Sequence, residues 1–368
     1  MRVLVVSGIW PPDVGGPASH APEVADFLLA RGHRVEVVTT ADSVPAARPY
    51  PVRFVARSVP VGLRHLRAAA LVSRRAKEND VVYATGMLGR TTAACMVARR
   101  PFVAKLTQDP AFERALRRGH YSGSLADFQH QRVGLTAALL RRARDFELHR
   151  AAHVICPSSF LAGLTAGWGV PPARVSVLAN PTPPLPALPD WAPGSTLAFA
   201  GRLTAPKDLG VALEAVAACD GVTLRLAGDG DERAALEARA VALGLGDRVE
   251  FLGALGRDEV LALLRRADAA ILSSAWENFP HTVVEALAVG TPVIATAVGG
   301  VPEIVTDGEN GLLVPPGDPA ALAAAIRRFF AQPELRARLR SAAAASVERF
   351  APEHVYGELE RILEEAAR

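Results

Sequence analysis

The fold is decided by residues 269–295, which read AAILSSAWENFPHTVVEALAVGTPVIA. A continuous apolar run covers 269–273, a helical pattern follows over 282–289, and a second apolar run covers 292–295. Continuous apolar runs are typical of parallel strands that are covered by helices on both faces. The stretch therefore predicts a strand–helix–strand unit of a parallel sheet.

The same pattern recurs along almost the whole chain. Further apolar runs lie at 2–7, 34–39, 52–56, 81–84, 102–106, 153–157, 196–200, 223–227, 249–252 and 311–314. Helical patterns lie between them, for example at 18–31, 209–217, 231–243 and 257–266. This repeated order predicts the α/β class, with doubly wound parallel sheets.

Length and composition exclude several other classes of protein. The 368 residues suggest two domains, and a hydrophobic fraction of 50 % allows each half to bury its own core. With 30 Gly and 28 Pro, collagen-like and disordered chains are excluded. Cys95, Cys156 and Cys219 are isolated in the sequence, which favours reduced core residues over a disulfide framework or a metal site.

A proline-rich stretch lies at the midpoint of the chain. Residues 180–193 contain six prolines in fourteen positions, so the segment can form neither a helix nor a central strand. We interpret 182–195 as a linker between a Rossmann-like domain at 1–181 and a second one at 196–351. Ligands of such sheets bind outside the carboxyl ends of the strands, which predicts a site in the cleft between the domains.

The sign of the charge reverses at the same point. Residues 1–185 carry 24 basic and 12 acidic side chains, whereas 186–368 carry 17 and 26. The first half therefore suits an anionic partner. With 6 % aromatic residues and scattered arginines, nucleic-acid binding is not expected.

Residues 62–77 concentrate part of the basic charge. On a helix, apolar positions recur there at spacings of three, four and seven with arginines around them: Leu63, Leu66, Ala70, Lys77, Arg64, Arg67, Arg74 and Arg75. The helix is either a core helix with solvated arginines or one that lies on anionic lipid. No apolar run is long enough for a membrane span or a signal peptide, so we expect a cytoplasmic protein with at most peripheral contact at the inner membrane face.

Two carboxylates eight residues apart form the strongest chemical motif, Glu277 and Glu285. The loop between them precedes a helix, whose first N–H groups can bind phosphate or hydroxyls. Glu285 stands among apolar residues and needs a partner, and a ribose diol is one that a carboxylate can hold. The alternative is a helix-capping acid followed by a solvated glutamate.

Gly201, Arg202 and Lys207 form a second motif, after the predicted strand 196–200. A glycine lets a ligand approach the backbone, and the two cations can neutralise a diphosphate. The alternative is two surface cations near a turn, but the position at the carboxyl end of a strand favours the ligand. Lysine is also scarce here, since only three of the 41 basic residues are Lys.

Two further loops are weaker signals. Gly15 and Gly16 follow the first strand without completing a dinucleotide fingerprint. Asp229 and Asp231 are interpreted as turn residues before a helix, with Asp231 as its N-cap, rather than as metal ligands.

Taken in order, the motifs resemble the retaining glycosyltransferases of family 4. The matching segments are 199–207, 226–232, 249–253, 273–285, 298–305 and 307–315. The resemblance covers nearly the whole chain and is densest over 196–318. It implies the type B glycosyltransferase fold (GT-B), in which two Rossmann-like domains face each other across a cleft and the terminal helix, 352–368, crosses back onto the first.

The resemblance also implies roles for the motif residues. Arg202 and Lys207 would hold the donor diphosphate beside Gly201, and Glu285 would bind the ribose. The donor sugar would be bound by Glu277 and the loop that follows it: Asn278, Phe279, Pro280, His281 and Thr282. Gly15 and Gly16 would approach the donor from the first domain.

One position departs from the family pattern. Many members place a histidine, facing the sugar, in the loop after the strand that corresponds to 102–106. This chain has no histidine there before His120. We therefore expect Asp109 to replace it, with Lys105 as a weaker candidate, and count Asp109 with Glu277, Arg202 and Lys207 as the catalytic group.

The implied reaction is transfer of a sugar from a nucleotide diphosphate sugar to an unidentified hydroxyl acceptor, with no metal or other cofactor, because cations of the protein stabilise the leaving group. The acceptor is expected to be anionic or lipid-linked. Alternatives on the same fold are a sugar-nucleotide epimerase and a catalytically silent binding protein, and a peripheral membrane module is a further one.

Overall fold

The computed structural model describes residues 1–13, 16–130 and 133–368. The chain divides into two compact units. The first consists of Met1–Leu178 and Val355–Arg368, and the second of Ala179–His354. Each is an α/β unit built on one parallel sheet, which confirms the predicted fold class.

The first unit has a seven-stranded parallel sheet with the order β3-β2-β1-β4-β5-β6-β7. Its strands are β1 (Arg2–Val6), β2 (Arg34–Ala41), β3 (Val52–Ala56), β4 (Val81–Ala84), β5 (Phe102–Lys105), β6 (His153–Cys156) and β7 (Val175–Val177). The order reverses between β1 and β4, where the first crossover returns to the middle of the sheet. The carboxyl ends of β1 and β4 therefore form the switch point, at which ligands of such sheets bind.

Helices cover both faces of this sheet. They are α1 (Gly16–Ala30), α2 (Val61–Ala76), α3 (Leu88–Ala98), α4 (Pro110–Arg117), α5 (Leu125–His130), α6 (Leu135–Arg150) and α7 (Ser159–Gly167). Leu4 and Val6 pack into the hydrophobic cluster on one face, whereas Val3 and Val5 pack into the cluster on the other. This explains the continuous apolar sequence of the strand, since both of its faces are buried.

The second unit has a six-stranded sheet with the order β10-β9-β8-β11-β12-β13. Its strands are β8 (Thr196–Ala200), β9 (Thr223–Ala227), β10 (Val249–Gly253), β11 (Ala269–Leu272), β12 (Val293–Thr296) and β13 (Gly311–Val314). Its helices are α8 (Leu209–Ala217), α9 (Arg233–Ala242), α10 (Arg257–Arg266), α11 (His281–Ala288), α12 (Pro319–Ala331) and α13 (Pro333–Ser346). The chain crosses back between β8 and β11, whose carboxyl ends are neighbours at the centre of the sheet.

The last helix, α14 (Pro352–Ala367), belongs to the first unit. Its buried side chains join the hydrophobic cluster that contains β1 and α1: Val355, Tyr356, Leu359, Ile362 and Leu363. The Tyr356 hydroxyl also donates a hydrogen bond to Glu23 on α1, at 2.7 Å. These contacts fix the end of the chain to the sheet at which it began.

The proline-rich segment differs from the expected linker, because 182–195 is part of the second unit. The Thr182 N–H donates to the Phe350 carbonyl at 2.8 Å, and the Arg340 guanidinium lies 4.0 Å from the centre of the Trp191 ring. The carboxylate of the buried Asp268 accepts hydrogen bonds from the backbone N–H groups of Gly194 and Thr196. Prolines cannot donate to a sheet, but their neighbours here find other partners.

Helix α2 uses a different face from the expected one. Ala68, Val72 and Ala76 are buried, whereas Leu63 is 45 % exposed and Leu66 70 % exposed. The spacing of three and four residues is helical in both sets, so the sequence alone could not distinguish the buried one. No helix in the described part of the chain is long and apolar enough to span a bilayer.

Candidate functional site

The carboxyl edge of the second sheet brings two loops together. Residues 201–208 follow β8 and residues 273–280 follow β11, and these strands are adjacent in the sheet. As a result, the Lys207 ammonium donates a hydrogen bond to Oε1 of Glu277, 70 residues further along the chain. The structure thus joins a cation of one predicted motif to a carboxylate of the other.

The Glu277 carboxylate is held in a fixed position. It is 8 % exposed, and the Ser274 hydroxyl donates to its Oε1 at 2.7 Å. The two loops are also linked through their backbones, because the Ala275 N–H donates to the Pro206 carbonyl at 3.0 Å. A buried carboxylate with two donors and a rigid backbone is preorganised for a ligand.

Two glycines are required by close approaches at this edge. Gly299 has a φ of +52°, and a Cβ there would lie 1.7 Å from the Glu277 carbonyl oxygen. Gly228 has a φ of +140°, and a Cβ there would lie 1.8 Å from the Gly201 carbonyl oxygen. Neither Gly299 nor Ser274 could be assigned a role from sequence, because neither contact is visible from spacing along the chain.

Arg202 differs from Lys207 in its surroundings. The Gly201 N–H donates to the Ala227 carbonyl at 2.9 Å, which fixes the backbone just before Arg202. The Arg202 side chain is exposed and forms no ion pair or hydrogen bond with the described residues. A guanidinium without a partner at the carboxyl end of a strand can take an anionic ligand.

Helix α11 begins next to Glu277. Its N-cap is Pro280, whose side chain cannot cap the first N–H groups. The preceding loop is anchored by Asn180, whose amide donates to the Phe279 carbonyl at 3.2 Å, and the helix by Thr282, whose hydroxyl donates to the Ala200 carbonyl at 2.9 Å. The backbone that would meet a ligand is therefore held from both sides.

The remaining motif residues lie around this helix start. Asn278 and Phe279 are buried, whereas His281, Thr282 and Glu285 are half-buried. Glu285 stands one turn inside α11, where its neighbours Val284 and Ala286 are buried. Thus Gly201, Arg202, Lys207, Glu277 and Glu285 belong to segments that meet at one edge of the second sheet.

Asp109 is a structural residue rather than a group open to a sugar. It has no exposed surface, and its Oδ1 caps α4 by accepting from the Ala111 N–H at 2.8 Å. Its Oδ2 accepts from Gln129 at 2.9 Å and from the buried Arg144 guanidinium at 2.6 Å. The expectation that Asp109 replaces the family histidine is therefore wrong, because both of its oxygens are occupied.

Lys105 is buried too, but it is not satisfied. It ends β5, and its Nζ finds no hydrogen-bond partner among the described residues. Burial lowers the pKa of the Lys105 ammonium to about 8, partly offset by the neighbouring Cys156. The structure thus places an uncompensated amine at the carboxyl edge of the first sheet.

The two weaker loop motifs, Gly15–Gly16 and Asp229–Asp231, differ in how the structure places them. Gly15 lies outside the described residues, and Gly16 is the first residue of α1. Asp231 is not an N-cap, because α9 begins at Arg233 after Glu232. Asp229 accepts a hydrogen bond from the Gly230 N–H at 2.8 Å, as a turn residue does.

Comparison with known proteins places the chain in a family. The model of "Glycosyltransferase Family 4" matches residues 14–184, and the model of "Glycosyl transferases group 1" matches residues 193–346. The chain belongs to the family 4 glycosyltransferases. It is therefore a glycosyltransferase, as the motifs indicate.

Curated relatives cover nearly all of this glycosyltransferase. A glycogen synthase of Mycobacterium tuberculosis is 29 % identical over 93 % of this chain and 89 % of its own. A phosphatidyl-myo-inositol mannosyltransferase of Mycobacterium leprae is 29 % identical over 96 % of this chain and 94 % of its own. The two relatives differ in their named activities, so the likeness does not select a substrate.

Solved structures share the GT-B fold of this glycosyltransferase. The complex of Anabaena Alr3699/HepE with UDP-glucose has a TM-score of 0.78 at 24 % identity and covers 99 % of this chain and all of its own. A sucrose-phosphate synthase of Thermosynechococcus elongatus has a TM-score of 0.80 at 22 % identity and covers 99 % and 98 %. The fold is kept at low identity.

The buried amine of Lys105 gives a pH-dependent prediction. Its pKa is about 8 in the folded chain and about 10.4 in an unfolded one, so charging it opposes folding by about 3 kcal/mol at pH 7. Lys105→Met removes this cost and should raise the free energy of unfolding at pH 7. The advantage should shrink as the pH rises from about 8 to 10.5, because the wild-type amine is then neutral in both states.

Urea denaturation of both proteins at pH 7 and pH 9.5 measures this difference, with Lys77→Met as the control at an exposed lysine. A difference between wild type and Lys105→Met that stays constant between the two pH values would contradict the buried, unpartnered amine.

Proposed function

We propose that the chain transfers a sugar from a nucleotide diphosphate sugar to a hydroxyl acceptor, with retention of configuration and without a metal. The observation that carries this proposal is the ion pair of Lys207 with Glu277. The loop that holds Lys207 also holds Arg202, whose side chain has no partner among the described residues. Together these residues supply cations for a diphosphate and a fixed carboxylate for a sugar at one edge. The Anabaena neighbour, solved with UDP-glucose, supports the same class of donor.

The donor diphosphate is bound by the two cations, Lys207 and Arg202. The Lys207 ammonium has three N–H donors, so it can keep Glu277 and still donate to a phosphate oxygen. Arg202 offers a planar fork that suits two phosphate oxygens. The uncapped start of α11 adds N–H groups and the positive end of the helix dipole.

The donor sugar is bound by Glu277 and the ribose by Glu285. Glu277 is nine-tenths buried and rigid, so it suits hydrogen bonds from sugar hydroxyls and positions the anomeric carbon. Glu285 lies one turn inside α11, on the helix whose start adjoins Glu277. Its carboxylate can accept from both hydroxyls of the diol.

In the reaction, the bond between the anomeric carbon and the diphosphate oxygen breaks. Negative charge develops on the leaving oxygen, where Arg202, Lys207 and the α11 N–H groups stabilise it. The acceptor oxygen attacks the same face of the sugar, and its proton passes to the leaving diphosphate. The protein's own cations carry the developing charge, which is why no metal is needed.

The first unit binds the acceptor. The protein acts in the cytoplasm, where this unit makes peripheral contact with an anionic membrane face. On α2, the apolar Leu63 and Leu66 are exposed beside the exposed Arg67 and Arg74. Apolar side chains next to basic ones are what a helix presents to anionic lipid. The excess of basic residues over 1–185 attracts the same surface.

The diphosphate assignment predicts the effect of Arg202→Ala. Charged hydrogen bonds contribute about 1.5–3 kcal/mol, so the affinity for nucleoside diphosphate should fall about ten- to a hundredfold without unfolding. Calorimetric titration of UDP, GDP, ADP and TDP, in EDTA throughout, measures it. Arg328→Ala, at an exposed arginine of α12, is the control. Equal affinities of Arg202→Ala and the control, or wild-type binding that needs a divalent metal, would contradict the assignment.

Substitutions of Glu285 and Glu277 should have different effects on nucleotide binding and on turnover. Glu285→Gln should weaken the nucleoside diphosphate and the sugar nucleotide alike, since the ribose is present in both. Glu277→Gln should lower turnover of the sugar donor while keeping diphosphate affinity, because it removes a contact to the sugar and releases Lys207. A loss of diphosphate affinity in Glu277→Gln as large as that in Glu285→Gln would refute this division.

The membrane contact predicts binding to vesicles. Sedimentation with vesicles should increase with the fraction of phosphatidylglycerol and fall with added salt, because exposed charges are screened. Leu66→Ser should reduce it, whereas Val241→Ser, at a valine of the second unit that is 74 % exposed, should not. Equal, weak sedimentation with neutral and anionic vesicles would exclude the contact.

A further inference from the structure

Two adjacent serines stand at the end of β11, where the loop that carries Glu277 begins. Ser273 and Ser274 follow directly after the strand, and neither has any exposed surface. The Ser273 hydroxyl donates to the Lys207 carbonyl at 3.0 Å. The Ser274 hydroxyl donates to Glu277 Oε1 at 2.7 Å. The end of one strand therefore holds both members of the ion pair, one through its backbone and the other through its side chain.

The backbone on both sides of the Ser274–Glu277 hydrogen bond is fixed. The fully buried Thr296, at the end of β12, donates from its hydroxyl to the Ser274 carbonyl at 2.7 Å. The Glu277 carbonyl lies so close to Gly299 that a Cβ there would not fit. Because the donor residue and the acceptor residue are both anchored by the loop and strand beside them, the hydrogen bond is preorganised.

The two oxygens of the Glu277 carboxylate differ in what they bind. Oε1 accepts from both the Lys207 ammonium and the Ser274 hydroxyl. Oε2 accepts no hydrogen bond from the residues that the structure describes, although nine-tenths of the side chain is buried. It stays open to solvent, whereas the unpartnered Oε2 of Glu147 in the first unit is closed off. A nearly buried carboxylate oxygen without a donor is costly, and a hydroxyl of a ligand supplies the missing donor.

We propose that Ser274 is a positioning residue of the sugar transfer, and that Glu277 meets the donor sugar with Oε2 alone. This deepens the proposed function and rests on it, since the donor sugar is the ligand assigned to Glu277 there. Ser274 acts through Glu277 and does not touch the sugar, because its side chain is fully buried.

The second donor on Oε1 is what fixes the carboxylate. The terminal torsion of a glutamate is soft, so a carboxylate held by Lys207 alone could turn and exchange its two oxygens. With Ser274 also bonded to Oε1, the same rotation breaks two hydrogen bonds at once. Oε2 is thereby kept at one place, where a sugar hydroxyl that reaches it sets the position of the anomeric carbon.

Ser274→Ala tests the proposal by separating the sugar from the nucleotide. The probe is the one of a panel of UDP-, GDP-, ADP- and TDP-linked sugars that raises the melting temperature of wild type most. Turnover is followed as release of the nucleoside diphosphate in EDTA, with water as the acceptor. A hydrogen bond to a charged group is lost, so kcat/KM should fall about ten- to a hundredfold. The affinity for the free nucleoside diphosphate, measured by calorimetry, should stay that of wild type.

A cysteine at the same position distinguishes the hydrogen bond from the space that the side chain fills. Ser274→Cys keeps nearly the same size but offers only a weak donor. Its kcat/KM should therefore lie near that of Ser274→Ala, and it serves in place of the alanine variant if that one does not fold. A wild-type kcat/KM in Ser274→Cys would show that Ser274 only fills space.

Ser346→Ala is the matched control in the same unit. Its hydroxyl donates to the Ala343 carbonyl and accepts from Asn310, which precedes β13 at the opposite edge of the sheet. The control should lower the free energy of unfolding, because two hydrogen bonds are lost, and leave kcat/KM unchanged.

The same substitution in a Glu277→Ala background shows whether Ser274 acts through the carboxylate. Single-turnover release of the diphosphate, with enzyme in excess, keeps slow variants measurable. Ser274→Ala should cause no further loss in this background, because residues that act as a unit are not additive.

The outcomes separate this inference from the proposed function. Wild-type turnover in Ser274→Ala, a loss of diphosphate affinity as large as the loss of kcat/KM, or an equal further loss in the Glu277→Ala background would overturn this inference alone. Release of diphosphate from none of the sugar nucleotides by wild type would overturn the proposed function, and this inference with it.

Discussion

The ion pair between Lys207 and Glu277 is the contact on which the second unit's site depends. It joins the loop after β8 to the loop after β11, and the crossover between these adjacent strands creates the edge on which it lies. Burial makes an unpaired Glu277 carboxylate costly, so the pair also determines where the loop before α11 runs. Gly299 is required by the same geometry, since only a residue without a Cβ fits against the Glu277 carbonyl.

The strands were largely predictable from sequence because a parallel sheet buries both faces. Val3, Leu4 and Val5 are all fully buried, and such runs need no comparison to be recognised. Strand β7 was missed, because Val175–Val177 has only three residues and is half exposed, which gives a short and mixed pattern. The proline-rich segment was predicted as a linker because its partners, such as Phe350, are distant in sequence and so cannot be recognised from the local pattern.

The candidate site was predictable in part. Spacing along the chain identified four of its residues, because they lie just after predicted strands or in the first turns of a predicted helix: Arg202, Lys207, Glu277 and Glu285. Burial and partner choice were not visible, and Asp109 illustrates this. It precedes a helix as a functional acid would, yet its charge is matched by Arg144, 35 residues later and itself buried.

The most direct test is a crystal structure of the full chain with the nucleoside diphosphate, among UDP, GDP, ADP and TDP, that raises its melting temperature most. The diphosphate should lie within hydrogen-bond distance of the Arg202 guanidinium and the Lys207 ammonium, with the ribose on Glu285 and Glu277 left facing the space beyond the second phosphate. A diphosphate bound away from Arg202 and Lys207, or no stabilisation by any of the four nucleotides, would contradict a donor site at this edge of the sheet.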